Sequence, residues 1–327
     1  MAGPPGHAPH TGIRRTTDIE RQDIASVANY TSIRYTSNDG LALHARDYPT
    51  GGPAAAGPAA AGGDRNRLPV ICIHGLTRNA SDFDEFAPIV AREGRRVLAL
   101  DVRGRGESQR DPNPDNYAPG VYAGDVVRLM AELGIPRAVF VGTSMGGLIT
   151  MTLAAKHIDL IAAAVINDIG PVISEKGLAR IAGYAGRTAA VDSWADAAGC
   201  IRDINACAFP DNVDADWDKW ARRAFAPDAA GRLAPRYDPN IAIALQTGKL
   251  RPTSLPLRMA FRKLAQERPV LLVRGALSDL LEERQTAWMR RAAPAMTCVE
   301  VPNVGHAPML TEPVALDAIL RFLANVP

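Results

Sequence analysis

The chain is short of cysteine, of long apolar runs and of excess charge, and each shortage excludes something. Four cysteines occur among 327 residues, Cys72, Cys200, Cys207 and Cys298, and no two form a C-x-x-C pair. The plain reading is reduced, buried thiols in a cytoplasmic protein. No apolar run reaches the ~18 residues of a membrane span. Residues 1–23 carry arginines without an apolar stretch after them, so they do not read as a secretory signal. The formal net charge is only +2, which gives no pull toward nucleic acid or acidic substrates. The expected partner is a small molecule, with neither nucleic acid nor membrane.

What is present is ordinary globular composition, 47% hydrophobic and 22% charged. The length allows one large α/β domain with an inserted subdomain. Its organising stretch is residues 137–150. A run of strand formers from Arg137 to Val141 enters Gly142-Thr143-Ser144-Met145-Gly146, and an apolar, small-residue helical segment follows. Strand, sharp turn and helix are the context that G-x-S-x-G requires. The turn crowds the backbone, so the positions two before and two after the serine must lack side chains. It lifts the Ser144 hydroxyl out of the sheet and points the Met145 N–H at the same space.

The rest of the chain alternates around this turn. Residues 1–25 read as a disordered tail rich in Pro, Gly and Arg. Strands are expected at Tyr30–Thr36 and Leu41–Tyr48, joined by the Asn38-Asp39-Gly40 turn. Residues 50–68 are a low-complexity, flexible insertion without chemistry. Buried strands follow at Val70–Ile73 and Arg96–Leu100, with a helix over Ser81–Glu93 between them and another at about 120–133. A further strand covers Ile161–Ile166. The rhythm then breaks. Residues 172–266 show helical segments, no convincing strand and three of the four tryptophans, Trp194, Trp217 and Trp220, read mainly as a small core of their own. A segment that long reads as a helical cap or lid inserted after the sixth strand. Strands resume at Pro269–Val273 and Thr297–Val301, and a helix closes the chain over 312–324. The expected fold class is therefore α/β: a mostly parallel central sheet flanked by helices. The core would comprise 26–171 and 267–327, split by the lid.

A serine hydroxyl needs a base, and the base needs an orienting acid. In such sheets these groups meet at the carboxyl ends of strands. His306 follows the last strand and is the one histidine of six that fits the base; His74 adjoins a glycine turn, His44 lies in an early strand, and His157 ends a helix. Asp279 follows the preceding strand and completes the order Ser144, Asp279, His306. Asp168, after the strand ending at Ile166, is the alternative acid. It ranks second because the chain runs straight from it into Gly170-Pro171 and the lid. Asp101 reads as fixing its own glycine-rich loop. For an oxyanion hole, the candidate N–H groups are those of Met145 and Leu76, with Thr77 as substitute for the latter.

These residues carry a resemblance. The His74-Gly75 turn, the D-x-R-G-x-G-x-S loop at 101–108, Gly142 to Gly147, Gly275 to Asp279 and Gly305 to Pro308 resemble the α/β-hydrolase fold superfamily, in its serine-nucleophile, cap-bearing branch. The resemblance covers about residues 30–325 and leaves the lid unmatched. It implies hydrolysis of esters, lactones or related bonds with no cofactor. Ser144 argues against the epoxide hydrolases and haloalkane dehalogenases, which carry aspartate at the elbow. The expected function is a serine hydrolase that cleaves a carboxylic ester or lactone of a small, partly hydrophobic substrate through an acyl-enzyme. Cleavage of carbon–carbon bonds in ring-fission products and perhydrolysis use the same triad. A carboxylate-bearing dienoate would call for an arginine near the serine, with Arg78, Arg180 and Arg187 as candidates by position. A reading of another class is a small-molecule receptor on the same fold.

Overall fold

The computed structural model describes residues 1, 30–51, 67–247 and 254–327. The readings made for residues 2–25 and 52–66 lie outside the described residues. The described chain forms an eight-stranded sheet in the order β1-β2-β4-β3-β5-β6-β9-β10, where β1 is Thr31–Thr36, β2 Ala42–Tyr48, β3 Val70–Ile73, β4 Val97–Asp101, β5 Ala138–Thr143, β6 Ile161–Asn167, β9 Val270–Gly275 and β10 Thr297–Val301. The hairpin β1-β2 pairs antiparallel and meets β4 antiparallel; β4, β3, β5, β6, β9 and β10 are parallel neighbours. This is the mostly parallel sheet that the apolar runs imply. Strands β3, β4, β6 and β9 are buried along their whole length, because helices cover both faces.

Alternate residues on each strand face opposite sides, and two cores result. Ile71, Ile73, Leu98, Leu100, Phe140 and Leu272 pack under α2 (Pro119–Glu132) and α3 (Met145–His157). Val70, Cys72, Val97, Val139, Val165 and Val273 pack under α1 (Phe86–Arg92) and α10 (Pro313–Ala324). The helix expected over Ser81–Glu93 is broken. A 3₁₀ turn at Ala80–Phe83, capped by the Asn79 side chain on the Ser81 N–H, precedes α1.

Between β6 and β9 lie α4 (Glu175–Tyr184), α5 (Trp194–Asn205), α6 (Asp214–Ala224), β7 (Phe225–Pro227), β8 (Leu233–Pro235), α7 (Ile243–Gln246) and α8 (Leu255–Glu267). Helices α5 and α6 have a core of their own, with Trp217, Trp220 and Phe209 in edge-to-face contact. The sequence shows no strand in this segment, yet β7 and β8 form an antiparallel pair. Three residues each are too few for a periodic signal. The far boundary also differs from the expected 266. Helix α8 packs on α3 and buries Phe261 and Leu264 in the sheet's own core, so it belongs with the layer beneath the sheet. Its apolar stripe recurs at helical spacing, which identifies a helix but not what it packs against.

All four cysteines are free; Cys72 is buried as expected, whereas Cys207 is exposed. Among the described residues no helix is long and apolar enough to cross a membrane. The two faces of α8 differ enough to test its placement. Phe261→Ala should lower the unfolding free energy by about 3–5 kcal/mol. Met259→Ala, 60% exposed on the same helix, should change it by no more than about 0.5 kcal/mol. Equal effects in denaturant melts would contradict this packing.

Candidate active site

Ser144 sits between β5 and α3 with φ 53° and ψ −113°, a conformation that L side chains rarely adopt. The crowding around it explains the flanking glycines. A Cβ on Gly142 would lie 2.5 Å from the Gly146 backbone, and one on Gly146 would lie 2.0 Å from the Ile73 carbonyl oxygen. The turn is thus wedged against the end of β3. The next residues after β3 come with it: a Cβ on Gly75 would be 3.7 Å from that of Ser144. Met145 is the first residue of α3, where an N–H has no intrahelical acceptor.

His306 reaches the serine from the other side. Its Nε2 lies 2.8 Å from Ser144 Oγ, and its Nδ1 lies 2.8 Å from Asp168 Oδ2. The loop carrying it crosses the end of β9. A Cβ on Gly275 would meet the Gly305 carbonyl at 2.4 Å, so that approach requires glycine. Gly305 also donates its N–H to Ala208 O at 2.6 Å, which seats the inserted segment directly beside the histidine.

The acid position corrects the sequence ranking. Asp168, not Asp279, meets His306. Asp168 has φ 54°, which turns its carboxylate back across the sheet before the chain departs at Gly170-Pro171. It is fully buried, and it also accepts from the Gly275 N–H at 2.9 Å and the Ser278 hydroxyl at 2.6 Å. Asp279 is carried away by the turn after β9 and forms a bidentate pair with Arg180 of α4, at 2.5 and 2.9 Å. Burial pushes the Asp279 carboxyl up, but hydrogen bonding to Arg180 and its charge outweigh this and hold it below the usual range. Since β6 and β9 are neighbours, the end of either can supply an acid to the same histidine, and one positive φ decides between them.

The loops around the site are held by buried polar groups. Asp101 accepts from the Ala80 and Glu107 N–H groups at 2.7 and 3.0 Å, and Gly106 is required because a Cβ there would meet Asp101 Oδ1 at 2.1 Å. Two contributors carry no separate signal in the sequence. Ser278, next to the ranked acid, supports Asp168. Arg105, inside the 101–108 loop, is buried and donates to the Leu76 carbonyl at 3.0 Å, to Tyr122 Oη at 3.0 Å and to the Met145 sulfur at 3.4 Å. It ties the loop after β3 to the start of α3.

A second alignment of the same residue types occurs elsewhere. Ser32 Oγ lies 2.7 Å from His44 Nε2, and His44 Nδ1 lies 2.7 Å from Asp101 Oδ2. Ser32 sits exposed on the edge strand β1, away from any elbow, and lies outside both cavities that Ser144 borders. Those cavities lie under the inserted segment. One includes Arg78, Asp82, Asn205 and His306 among apolar and aromatic side chains such as Phe209, Trp220 and Phe225; the other is lined mainly by aliphatic side chains, together with Asp115, Tyr117 and Tyr122. Arg78 is held by Asp82 at 2.6 and 2.8 Å. Among the described residues no group of three His, Cys, Asp or Glu side chains is arranged to hold a metal.

His74 gives a prediction that does not depend on turnover. Its Nε2 accepts from the Val102 N–H at 3.1 Å, and its Nδ1 lies 2.7 Å from the Gly75 carbonyl. Burial pushes its pKa from 6.5 down to about 4, against an opposing pull from the Gly75 carbonyl. The unfolded chain therefore binds a proton near pH 6.5 that the folded chain refuses until about pH 4. Stability contributed by neutral His74 is fully present above 6.5 and is lost as the pH falls through that window, by about 3 kcal/mol in all. His74→Gln should show a correspondingly smaller loss in pH-dependent melts; an identical loss would contradict the assignment.

The geometry can be set beside known proteins. Residues 69–313 match the family described as alpha/beta hydrolase fold. The chain is 31% identical over 268 residues to the 3-hydroxybutyrate-oligomer hydrolase of Cupriavidus necator, covering 81% of this chain and 91% of that protein. It is 28% identical over 255 residues to the 2-(acetamidomethylene)succinate hydrolase of Mesorhizobium japonicum, covering 78% and 87%. A crystal structure of an alpha/beta hydrolase from Novosphingobium aromaticivorans superposes with a TM-score of 0.81 at 39% identity, over 91% of this chain and 99% of that one. With the family matched over most of the chain and the sheet order to support it, this protein belongs to the α/β-hydrolase fold family and is a hydrolase.

Proposed function

We propose that the protein is a serine hydrolase that cleaves a carboxylic ester or lactone of a small, partly hydrophobic substrate through an acyl-enzyme. The observation that carries this reading is the continuous hydrogen-bonded line Ser144, His306, Asp168, with the serine on a strained elbow facing open space. His306 Nε2 takes the proton as Ser144 Oγ attacks the carbonyl carbon. Asp168 holds the ring by Nδ1 and stabilises the imidazolium. The N–H groups of Leu76 and Met145 take the oxyanion, and the position of Met145 at the start of α3 adds the favourable end of the helix dipole. The alcohol leaves with the proton from His306. Water, deprotonated by the same nitrogen, then releases the acid.

The Cupriavidus necator relative favours an ester over other bonds, since an oligomer of a hydroxy acid is joined through ester linkages. The Mesorhizobium japonicum relative raises the alternative of a dicarboxylate substrate. Two carboxylates would call for unpaired cations. Of the three arginines that sequence position offers, Arg78 and Arg180 are each bidentate to an aspartate, Asp82 and Asp279, and Arg187 is exposed and lies outside the lining of both cavities, which favours the ester. Carbon–carbon cleavage and perhydrolysis would use the same triad, and neither has an observation of its own here.

With p-nitrophenyl butanoate, Ser144→Ala should reduce kcat by about 10⁶-fold and Asp168→Asn by about 10⁴-fold. Asp279→Asn should cost less than about tenfold, because it touches the lid helix α4 rather than the base. A larger loss for Asp279→Asn than for Asp168→Asn would return the acid to Asp279. Wild-type turnover by Ser144→Ala would remove the serine mechanism.

A further inference from the structure

The cavity that His306 borders is lined mainly by apolar and aromatic side chains, Phe83, Ile181, Phe209, Trp220 and Phe225 among them. One ion pair interrupts that wall, Arg78 with Asp82, and among the described residues the lining holds no other Arg, Lys, Asp or Glu. The pair stands beside the nucleophile. A Cβ on Gly75 would lie 3.6 Å from Arg78 Cγ and 3.7 Å from Ser144 Cβ, so both side chains start against the same glycine. The Arg78 and Asp82 side chains are only 20% and 15% exposed. The ring of Trp220, carried by α6 of the inserted segment, lies 5.9 Å from the guanidinium carbon. A largely buried ion pair is weak support for a fold, because the cost of taking two charges out of water offsets their attraction. Its place against the serine gives it another use.

Asp82 engages Nε and Nη2 of Arg78 at 2.8 and 2.6 Å. A guanidinium carries further N–H groups beyond these two, and Nη1 makes no hydrogen bond among the described residues. Burial alone would push the Arg78 pKa down. The charge and hydrogen bonds of Asp82 outweigh this and raise it, so the arginine stays ionised while the pair as a whole is neutral. We propose that the free edge of Arg78 holds a second, uncharged oxygen of the substrate, an ester carbonyl or a hydroxyl, and that Asp82 sets this preference by cancelling the charge that would otherwise draw a carboxylate. The proposal rests on the serine-ester reading above and narrows its substrate class to esters that carry a further neutral oxygen. A carboxylate at the same edge would lie beside Asp82 in a poorly hydrated wall, where like charges repel. A purely alkyl substrate would leave the Nη1 donors unpaired and cut off from water. Arg78 and Asp82 then determine specificity, while the triad carries the chemistry.

The test keeps the scissile ester and changes the far group. On the acyl half, the substrates are the 4-nitrophenyl esters of monomethyl adipate, of adipate with its free carboxylate, and of heptanoate. On the alcohol half, they are methyl butanoyloxyacetate, butanoyloxyacetate and pentyl butanoate. In at least one half, wild-type kcat/KM, after subtraction of the Ser144→Ala rate, should be at least about tenfold higher for the methyl ester than for its carboxylate and alkyl counterparts. Asp82→Asn should move the carboxylate-to-methyl-ester ratio in that half at least about tenfold toward the carboxylate. Arg78→Met combined with Asp82→Leu, which leaves no single charge behind to unfold the protein, should erase the preference for the methyl ester over the alkyl ester. Wild-type ratios near one in both halves, or unchanged ratios in the folded variants, overturn the proposal while the ester reading stands. Absence of Ser144-dependent turnover with all of these esters overturns the ester reading and the proposal with it.

Discussion

The carboxylate of Asp168 is the contact on which the rest of the site depends. It is buried, and its three donors come from two separate stretches: the Gly275 N–H and the Ser278 hydroxyl at the end of β9 and in the turn after it, and the His306 ring after β10. A buried carboxylate stripped of such donors is costly, so the arrangement is held together as a unit. The position of His306 follows from it, and so does the direction in which Nε2 points at Ser144. The inserted segment then closes over this unit through Ala208 on Gly305 and Arg180 on Asp279. The aspartate that fails to orient the histidine thus has another task, fastening α4 to the loop beside it.

Alignment of Ser, His and Asp is not by itself a site. The line Ser32, His44, Asp101 is as short as the line through Ser144. What separates them is surroundings. Ser144 is strained, borders two cavities and is followed by a helix start. Ser32 lies on a pleated edge strand, where its hydroxyl and His44 help hold Asp101 beneath the 101–108 loop. Acyl transfer, the reaction proposed for this site, needs donors where charge develops as well as a base, and the helix start directly after Ser144 offers one.

Much of this was legible in the sequence because it is written in local, steric terms. Apolar runs of four to seven residues marked the buried strands. The glycines at 142 and 146 marked the elbow, and the contact of Gly146 with Ile73 explains why. Ser144 and His306 lie at the strand ends where chain order puts them. What escaped were decisions made between elements. Asp168 and Asp279 both follow strands, and those strands are neighbours, so only the backbone angle at Asp168 and the pull of Arg180 separate them. The stripe on α8 showed a helix but could not say that α3, and not the insert, would cover it. The strands β7 and β8 are too short to leave a pattern. Arg105 falls at a variable position of the 101–108 pattern, and only its burial against Leu76 and Met145 shows what it ties together.

The central claim is that Ser144 carries the acyl group, and it can be read from mass. Wild-type protein would be quenched in acid within the burst phase of p-nitrophenyl butanoate hydrolysis, digested, and its peptides weighed. The account predicts a butanoyl adduct on the peptide containing Ser144, absent from Ser144→Ala and lost as the burst decays. Rapid turnover with no adduct, or an adduct on the peptide containing Ser32, would contradict it.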